Sequence, residues 1–390
     1  MPDTMLRALK PTSAEEVQAI VAEAGAGARR LAVTGGGTKR SVGSMEPVDA
    51  VLSTARLDRI VDYSPEELTL TCEPGVRIED LERLTAAKGQ MLAFEPPRWT
   101  RLLASRGEPT LGGVLSANLS GPRRIRAGAA RDHFLGFEAV SGRGEMFKAG
   151  GRVVKNVTGY DLMKLLAGSW GTLAVLTQVT VKVLPAPRTE TTLLLFGLPD
   201  VRASEAMTVA LNGPFEVSGA AHLPSFAARA RPLKAEMAVT ALRLEGFDAS
   251  VAARAEALSA VLKGFGRIEM LDAGHSRDFW TQVREVEAIA SDPRPLWRLS
   301  LPPAQGWRGP HGLPGDALYD WGGGLVWLAT EEPPAKVHAV ARELGGHALG
   351  LRGHEAFGPR YGALAALQAR VKAAFDPLGV LNPGRMEATS

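Results

Sequence analysis

The sequence predicts an α+β protein with an antiparallel sheet in its second half, on three observations. Its 390 residues exceed one ordinary domain of roughly 100–200 residues, so at least two are expected. Up to residue 187, short apolar strands alternate with glycine-rich segments. After Pro185-Ala186-Pro187 the pattern restarts as strand, helix, strand, strand, helix, strand, an order that makes an antiparallel sheet with helices on one face.

Ser13 opens the first helix, residues 13–25. Glu16 stands where a capping box needs it, and Val17, Ile20 and Val21 form the apolar stripe. Residues 31–33 are a strand running into Gly35-Gly36-Gly37-Thr38-Lys39, and 48–52 are a second. A strand at 68–72 ends at the turn Pro74-Gly75, and the helical spacing of 78–88 stops at Gly89, a natural left-handed cap. Residues 134–140 and 173–183 read as strands, the latter alternating Leu and Val with Thr, Gln and Lys. Beyond the linker, strands are expected near 191–196, 216–222, 237–244 and 267–271, and helices near 201–211 and 250–262. Strands at 296–301 and 325–329 extend that sheet, and a helix near 363–375 is the last element.

Composition narrows the function. Apolar residues make up 45% and charged residues 22%, an ordinary globular balance. Forty-five Lys and Arg against 42 Asp and Glu leave +3 with no long basic run, which disfavours a nucleic-acid binder. The one group of arginines, Arg123, Arg124, Arg126 and Arg131, sits in a glycine-rich stretch and reads as a phosphate or carboxylate site, or as a solvated loop. The single cysteine, Cys72, rules out an intrachain disulfide and a self-ligated iron–sulfur cluster. No apolar run of signal-peptide or membrane-helix length is seen, since residues 165–181 are interrupted by Gly, Ser, Thr and Gln. A protein of a reducing compartment is therefore expected. The seven histidines show no helical pair at i, i+4, and His354-Glu355 lacks a second histidine, so no metal site is expected.

Four glycine-rich segments carry the chemistry. Gly35-Gly36-Gly37-Thr38-Lys39 follows a strand but is not a P-loop, and Arg40 stands where a dinucleotide fingerprint needs its third glycine. Successive glycines permit a nest of backbone N–H groups converging on an anion, with Gly36 expected to turn its amide toward phosphate. The others are Thr110-Leu111-Gly112-Gly113 with Asn118 and Gly121, then residues 155–162, then Gly168-Ser169-Trp170-Gly171. Ser169 is no nucleophile elbow, because Ala167 replaces the first glycine of that motif.

In this order the segments resemble the FAD-binding domain of the vanillyl-alcohol oxidase / p-cresol methylhydroxylase (PCMH) flavoprotein superfamily. The wording at 110–121, 131–136, 153–162, 168–177, 320–323 and 376–385 is similar to the FAD-binding subunits of bacterial glycolate oxidases. The resemblance implies a PCMH-type FAD-binding domain of two α+β subdomains at 1–187. A cap domain with ferredoxin-like βαββαβ elements follows at 188–354, and 355–390 return to the FAD domain. It implies that Thr34, Gly35, Gly36, Gly37, Thr38 and Lys39 wrap the FAD pyrophosphate. Pro74, Gly112, Gly113, Gly121, Gly171 and Val175 match cofactor-lining positions, and Gly75, Thr110, Ala117, Gly128, Asp161, Gly168 and Asn382 complete the expected set. Thr38-Lys39 stand where some relatives carry a flavin-linking histidine, so noncovalent FAD is expected.

As partners the resemblance implies a larger flavin subunit, an iron–sulfur subunit and a small 2-hydroxy acid. It implies a cytoplasmic protein, or one peripheral at the inner membrane through its complex. One departure matters. Relatives that oxidise D-2-hydroxy acids carry a cap-domain histidine motif and a later Glu-His-Gly, whereas here Gly315-Asp316 continue into Ala317-Leu318-Tyr319 and no Glu-His-Gly occurs. Removing a hydride from an alcohol carbon needs a group that takes the hydroxyl proton. No catalytic residue is assigned; Arg298, Tyr319 and Asp320 are the first places to look for one. Three readings stay open: an FAD-dependent oxidoreductase subunit, a non-catalytic assembly subunit that keeps FAD, and a stand-alone D-2-hydroxy-acid dehydrogenase holding carboxylate through Arg298 or Arg352.

Overall fold

The structure, a computed structural model, describes residues 6–44, 46–151, 160–229, 235–353 and 356–387. The glycine-rich segment 155–162 and His354-Glu355 fall largely or wholly outside these residues.

The first helix forms as its sequence dictates. In α1 (Ala14–Ala26) the Ser13 hydroxyl accepts the Glu16 N–H at 3.2 Å, while the Glu16 carboxylate accepts the N–H of Thr12 at 2.7 Å rather than that of Ser13. Its stripe Val17, Val21 and Ala24 is buried against a small parallel sheet of β1 (Arg7–Leu9), β2 (Leu31–Thr34) and β3 (Ala50–Ser53), ordered β1-β3-β2. The next strands are β4 (Ile60–Ser64), β5 (Thr69–Cys72), β6 (Gln90–Met91), β7 (Phe134–Ser141), β8 (Met146–Gly150), β9 (Ala174–Lys182) and β10 (Leu184–Pro185). Five of them form a sheet ordered β4-β5-β9-β7-β8, and β6 pairs with β10. Buried on both faces, β9 is the centre of that sheet. The helices α2 (Ile78–Ala86), α3 (Leu111–Ala117), α4 (Arg124–Ala127), α5 (Ala130–His133) and α6 (Leu162–Leu166) pack around it.

The second half is one eight-stranded sheet built from two βαββαβ units. The first comprises β11 (Thr189–Phe196), α7 (Asp200–Asn212), β12 (Gly219–Leu223), α8 (Ser225–Ala228), β13 (Val239–Gly246), α9 (Asp248–Leu262) and β14 (Ile268–Leu271). After α10 (Ala273–Glu285) the second comprises β15 (Leu296–Ser300), α11 (Arg308–Gly312), β16 (Asp316–Asp320), β17 (Leu325–Ala329), α12 (Pro334–Glu343) and β18 (His347–Arg352). The strand order β14-β11-β13-β12-β16-β17-β15-β18 joins the units through their second strands, where His222 pairs with Tyr319. The expected strands at 296–301 and 325–329 thus belong to a second ferredoxin-like unit.

This sheet has an outer and an inner face. Leu193, Leu242 and Leu244 pack among α7 and α9, and Trp297, Leu299, Val326 and Leu328 pack with Val337 and Ala341 of α12. On the inner face Leu296, Leu318, Leu325 and Trp327 share one core with Trp99, Leu115 and Leu176 of the first half, and α10 fills the rest through Phe279 and Trp280. Helices therefore cover mainly one face, with α10 as the exception. The last helix, α13 (Gly362–Phe375), leads the chain back to the first half, where Leu381 bridges Leu31 in parallel.

Candidate functional site

The residues after β2 form one wall of a cleft with about 700 Å³ of empty space. Twelve of the anticipated residues line it: Thr34 through Lys39 on one loop, Pro74 on a second, Thr110, Gly112, Gly113 and Ala117 around α3, and Gly171 on a fourth segment. Three separate glycine-rich segments therefore converge on one cavity.

The convergence is held by backbone packing. A Cβ on Gly36 would lie 1.7 Å from the Glu108 carbonyl oxygen, and one on Gly107 would lie 1.8 Å from that of Gly36. Gly36 is thus required because two loops pack backbone on backbone, a reason for glycine that the expected turn of its amide toward phosphate did not include. A Cβ on Gly112 would lie 2.4 Å from Pro74, whose carbonyl accepts the Gly112 N–H at 2.8 Å. Gly37 takes φ +79 and Gly171 takes φ +70, the left-handed region that favours glycine.

Other anticipated residues stand behind this wall. The Asn382 amide accepts the Val33 N–H at 2.7 Å and donates to the carbonyls of Val33 and Trp170 at 3.3 and 2.8 Å, tying the C-terminal segment to β2 and to the Trp170-Gly171 turn. Val175 is fully buried in the core beside α1. Gly75 packs on the carbonyls of Thr54 and Leu57, and Gly121 packs on Glu95. Gly128 and Gly168 turn the chain at φ +91 and +87. Asp161 caps α6 and pairs with Lys164 on the surface. None of these seven lines the cleft.

The charge of the cleft is one-sided. Lys39, Arg40 and Arg385 line it, and no Asp or Glu is among the described lining residues. Lys39 is buried and donates to the Thr38 hydroxyl at 2.9 Å; burial pulls its ammonium down to about 8, against the opposing pull of Glu285. Arg385 is buried, donates to the Lys39 carbonyl at 2.6 Å and is lowered to about 10 by burial and by Arg40. Positive charge gathered in one wall favours an anionic ligand in the cleft. Sequence reasoning missed Arg40, Thr54, Ser116, Trp170 and Arg385 as lining residues. Arg385 reaches the loop across 346 residues of chain, so no local pattern announces it.

On the inner face of the eight-stranded sheet a second polar group faces the first half. Arg243 donates to the Glu95 carboxylate at 2.9 and 3.1 Å, and Arg123 donates to Glu245 at 3.0 and 2.6 Å. Asp320 is buried; its carboxylate accepts the Trp321 N–H at 2.7 Å, and desolvation raises it to about 7. Tyr319 packs on the outer face, with its hydroxyl on Asp200, which removes it from this group. Arg352 donates to the backbone carbonyls of Leu102, Ala290, Asp292 and Arg294, so it fastens a loop. Among the described residues no cluster of three or more His, Cys, Asp or Glu is placed to hold a metal ion.

Comparison with known proteins agrees with this geometry. A family model described as an FAD-binding domain matches residues 6–150. Glycolate oxidase subunit GlcE of Escherichia coli is 36% identical over 364 residues, 92% of this chain and 93% of that protein. Glycolate oxidase subunit GlcD of Bacillus subtilis is 33% identical over 196 residues, covering 50% of this chain and 39% of that protein. Among solved structures, p-cresol methylhydroxylase with substrate bound superposes with a TM-score of 0.69 at 15% identity, over 97% of this chain and 88% of that one. The chain shares the fold of p-cresol methylhydroxylase, carries an FAD-binding domain, and belongs to the family of glycolate oxidase subunits typified by GlcE.

Proposed function

We propose that this chain is the FAD-binding subunit of a glycolate-oxidising complex, working beside a larger flavin subunit and an iron–sulfur subunit. The observation that carries the reading is the cleft itself, with three glycine segments, Lys39 and Arg385 around one space and no Asp or Glu among its described lining residues. The loop from Thr34 to Lys39 offers backbone N–H donors for the FAD pyrophosphate, Gly112-Gly113 bring the backbone of α3 close to it without side chains, and Lys39 and Arg385 place positive charge beside it. When bound, FAD supplies the capacity to accept two electrons from an alcohol and pass them on singly. We infer that residues 1–187 form the FAD domain, 188–354 the cap and 355–390 the return segment. A cytoplasmic location, or one at the inner membrane through the complex, fits the lack of any membrane-length apolar helix among the described residues.

Co-expression with the two partner subunits tests the proposal. The three chains should co-purify and oxidise glycolate to glyoxylate with an artificial acceptor, while the isolated FAD-loaded chain is reduced by glycolate slowly or not at all. Failure to associate with either partner would overturn it. The absent histidine motif favours a second reading, a subunit that keeps FAD for assembly alone. A complex whose turnover survives loss of FAD from this chain would establish that reading.

A further inference from the structure

Where the inner face of the eight-stranded sheet meets the first half, two arginines have no carboxylate in direct contact among the described residues. Arg298 on β15 is more than nine-tenths buried, yet among the described residues its one side-chain hydrogen bond is a 3.4 Å donation to the Ser300 hydroxyl. Its guanidinium lies 4.9 Å from the Trp321 ring centroid, and that of Arg124, at the start of α4, lies 4.1 Å from the same ring. Trp321 is held in turn by its indole N–H, which donates to the Gly121 carbonyl at 3.0 Å. One indole therefore gathers an arginine from each half of the molecule. Among the described residues no ion pair involves either arginine, whereas Arg123 and Arg243 nearby are each paired with Glu95 and Glu245.

We propose that Arg298 and Arg124, with the Ser300 hydroxyl, form a binding site for a carboxylate ligand between the cap sheet and the Gly121–Arg124 turn. Guanidinium groups bind planar carboxylates through paired N–H donors, and an aromatic face orients them without neutralising them. The surrounding wall is apolar, with Trp321, Trp327, Leu318 and Leu349. Such a wall strengthens a charge-assisted hydrogen bond and can cover the carbon skeleton of a small organic acid, which inorganic phosphate lacks. The inference deepens the function proposed above by giving this chain its own contact with the acid substrate, and it rests on that reading for the identity of the acid.

The charges around the site predict its pH response. Asp320 faces Arg298, Arg243 and Glu95, while Arg124 faces Arg131 and Asp132, and His347 faces both site arginines. Since Asp320 titrates near 7, it is neutral below that pH and leaves Arg298 to the ligand. Above it, the carboxylate competes for Arg298. Affinity should fall as pH rises through about 7, and Asp320→Asn should flatten the dependence.

Calorimetric titration of the full chain, FAD-loaded, with sodium oxalate at constant ionic strength tests this. Arg298→Gln and Arg124→Gln should each weaken oxalate binding about 10- to 100-fold, the range for a lost charged hydrogen bond, while FAD is retained. If Arg298→Gln loses FAD, Arg124→Gln decides. Binding of oxalate to both variants as tightly as to the parent, no binding to the parent, or tighter binding of inorganic phosphate than of oxalate would overturn the proposal. FAD titration is read separately: a chain that binds oxalate but not FAD keeps this site and loses the flavin reading.

Discussion

At the scale of single residues, two buried polar groups around the cleft make separable predictions. Asn382 uses its amide three times, on Val33 twice and on Trp170 once. Asn382→Ala leaves those backbone groups unpaired and should cost about 1–3 kcal/mol, read by denaturant unfolding, with weaker FAD binding. Lys39 acts through charge. Its ammonium is lowered to about 8 by burial, so the free protein begins to lose that charge above pH 8. A bound pyrophosphate raises the value again, which means binding takes up a proton in between. FAD affinity should be flat below pH 8 and fall by up to about ten-fold per pH unit above it. Lys39→Met should abolish the slope, and a slope that persists in this variant would assign it to another group. These roles were unevenly legible. The glycine segments put Lys39 in the site from local sequence, but nothing near Asn382 or Arg385 shows that a C-terminal segment closes on β2.

At the scale of elements, the loops around the cleft separate packing from conformation. Gly36→Ala places a methyl on the Glu108 carbonyl oxygen and should destabilise by about 3 kcal/mol, the upper end for overpacking, while lowering FAD affinity. Gly89 also has a positive φ, +65, but nothing lies within 4 Å of its added Cβ. Gly89→Ala should cost only the left-handed penalty of about 1–2 kcal/mol and leave FAD affinity unchanged. Thermal unfolding with and without FAD reads both. The same contrast explains which elements the sequence revealed. Strands with an alternating or continuous apolar run, such as β9 and β11, and helices with an apolar stripe, such as α1 and α2, could be read directly. The strand β16, bounded by Asp316 and Asp320, lacks an apolar run at either end, and α10 carries Gly274 and His275 in its first turn. Their positions come from the sheet and core they complete, so the second βαββαβ unit was visible only as two added strands.

At the scale of the whole molecule, the two halves meet through a shared apolar core and a buried ionic group. Glu95 from the first half pairs with Arg243 on the eight-stranded sheet, and Arg123 pairs with Glu245. Glu95→Gln leaves Arg243 its 3.6 Å contact to Glu245 as the one ion pair among the described residues, beside its bonds to Ser218, and should destabilise by about 3–5 kcal/mol, the usual cost of breaking a buried pair. Glu245 is lowered to about 2 by Arg243 and Arg123, below its ordinary value of 4.5. Its stabilising contribution is therefore complete above about pH 4.5 and is lost as pH falls toward 2, so acid unfolding of Glu245→Gln should be shallower than that of the parent. The cleft itself makes the largest claim. Its test is a titration of the purified chain with FAD, followed by absorbance and thermal unfolding. The predicted result is about one FAD per chain, released intact on denaturation, with a stabilisation of about 2.7 kcal/mol at a hundredfold excess over Kd. A chain that shows no flavin spectrum and no shift in its unfolding midpoint with added FAD would contradict the account.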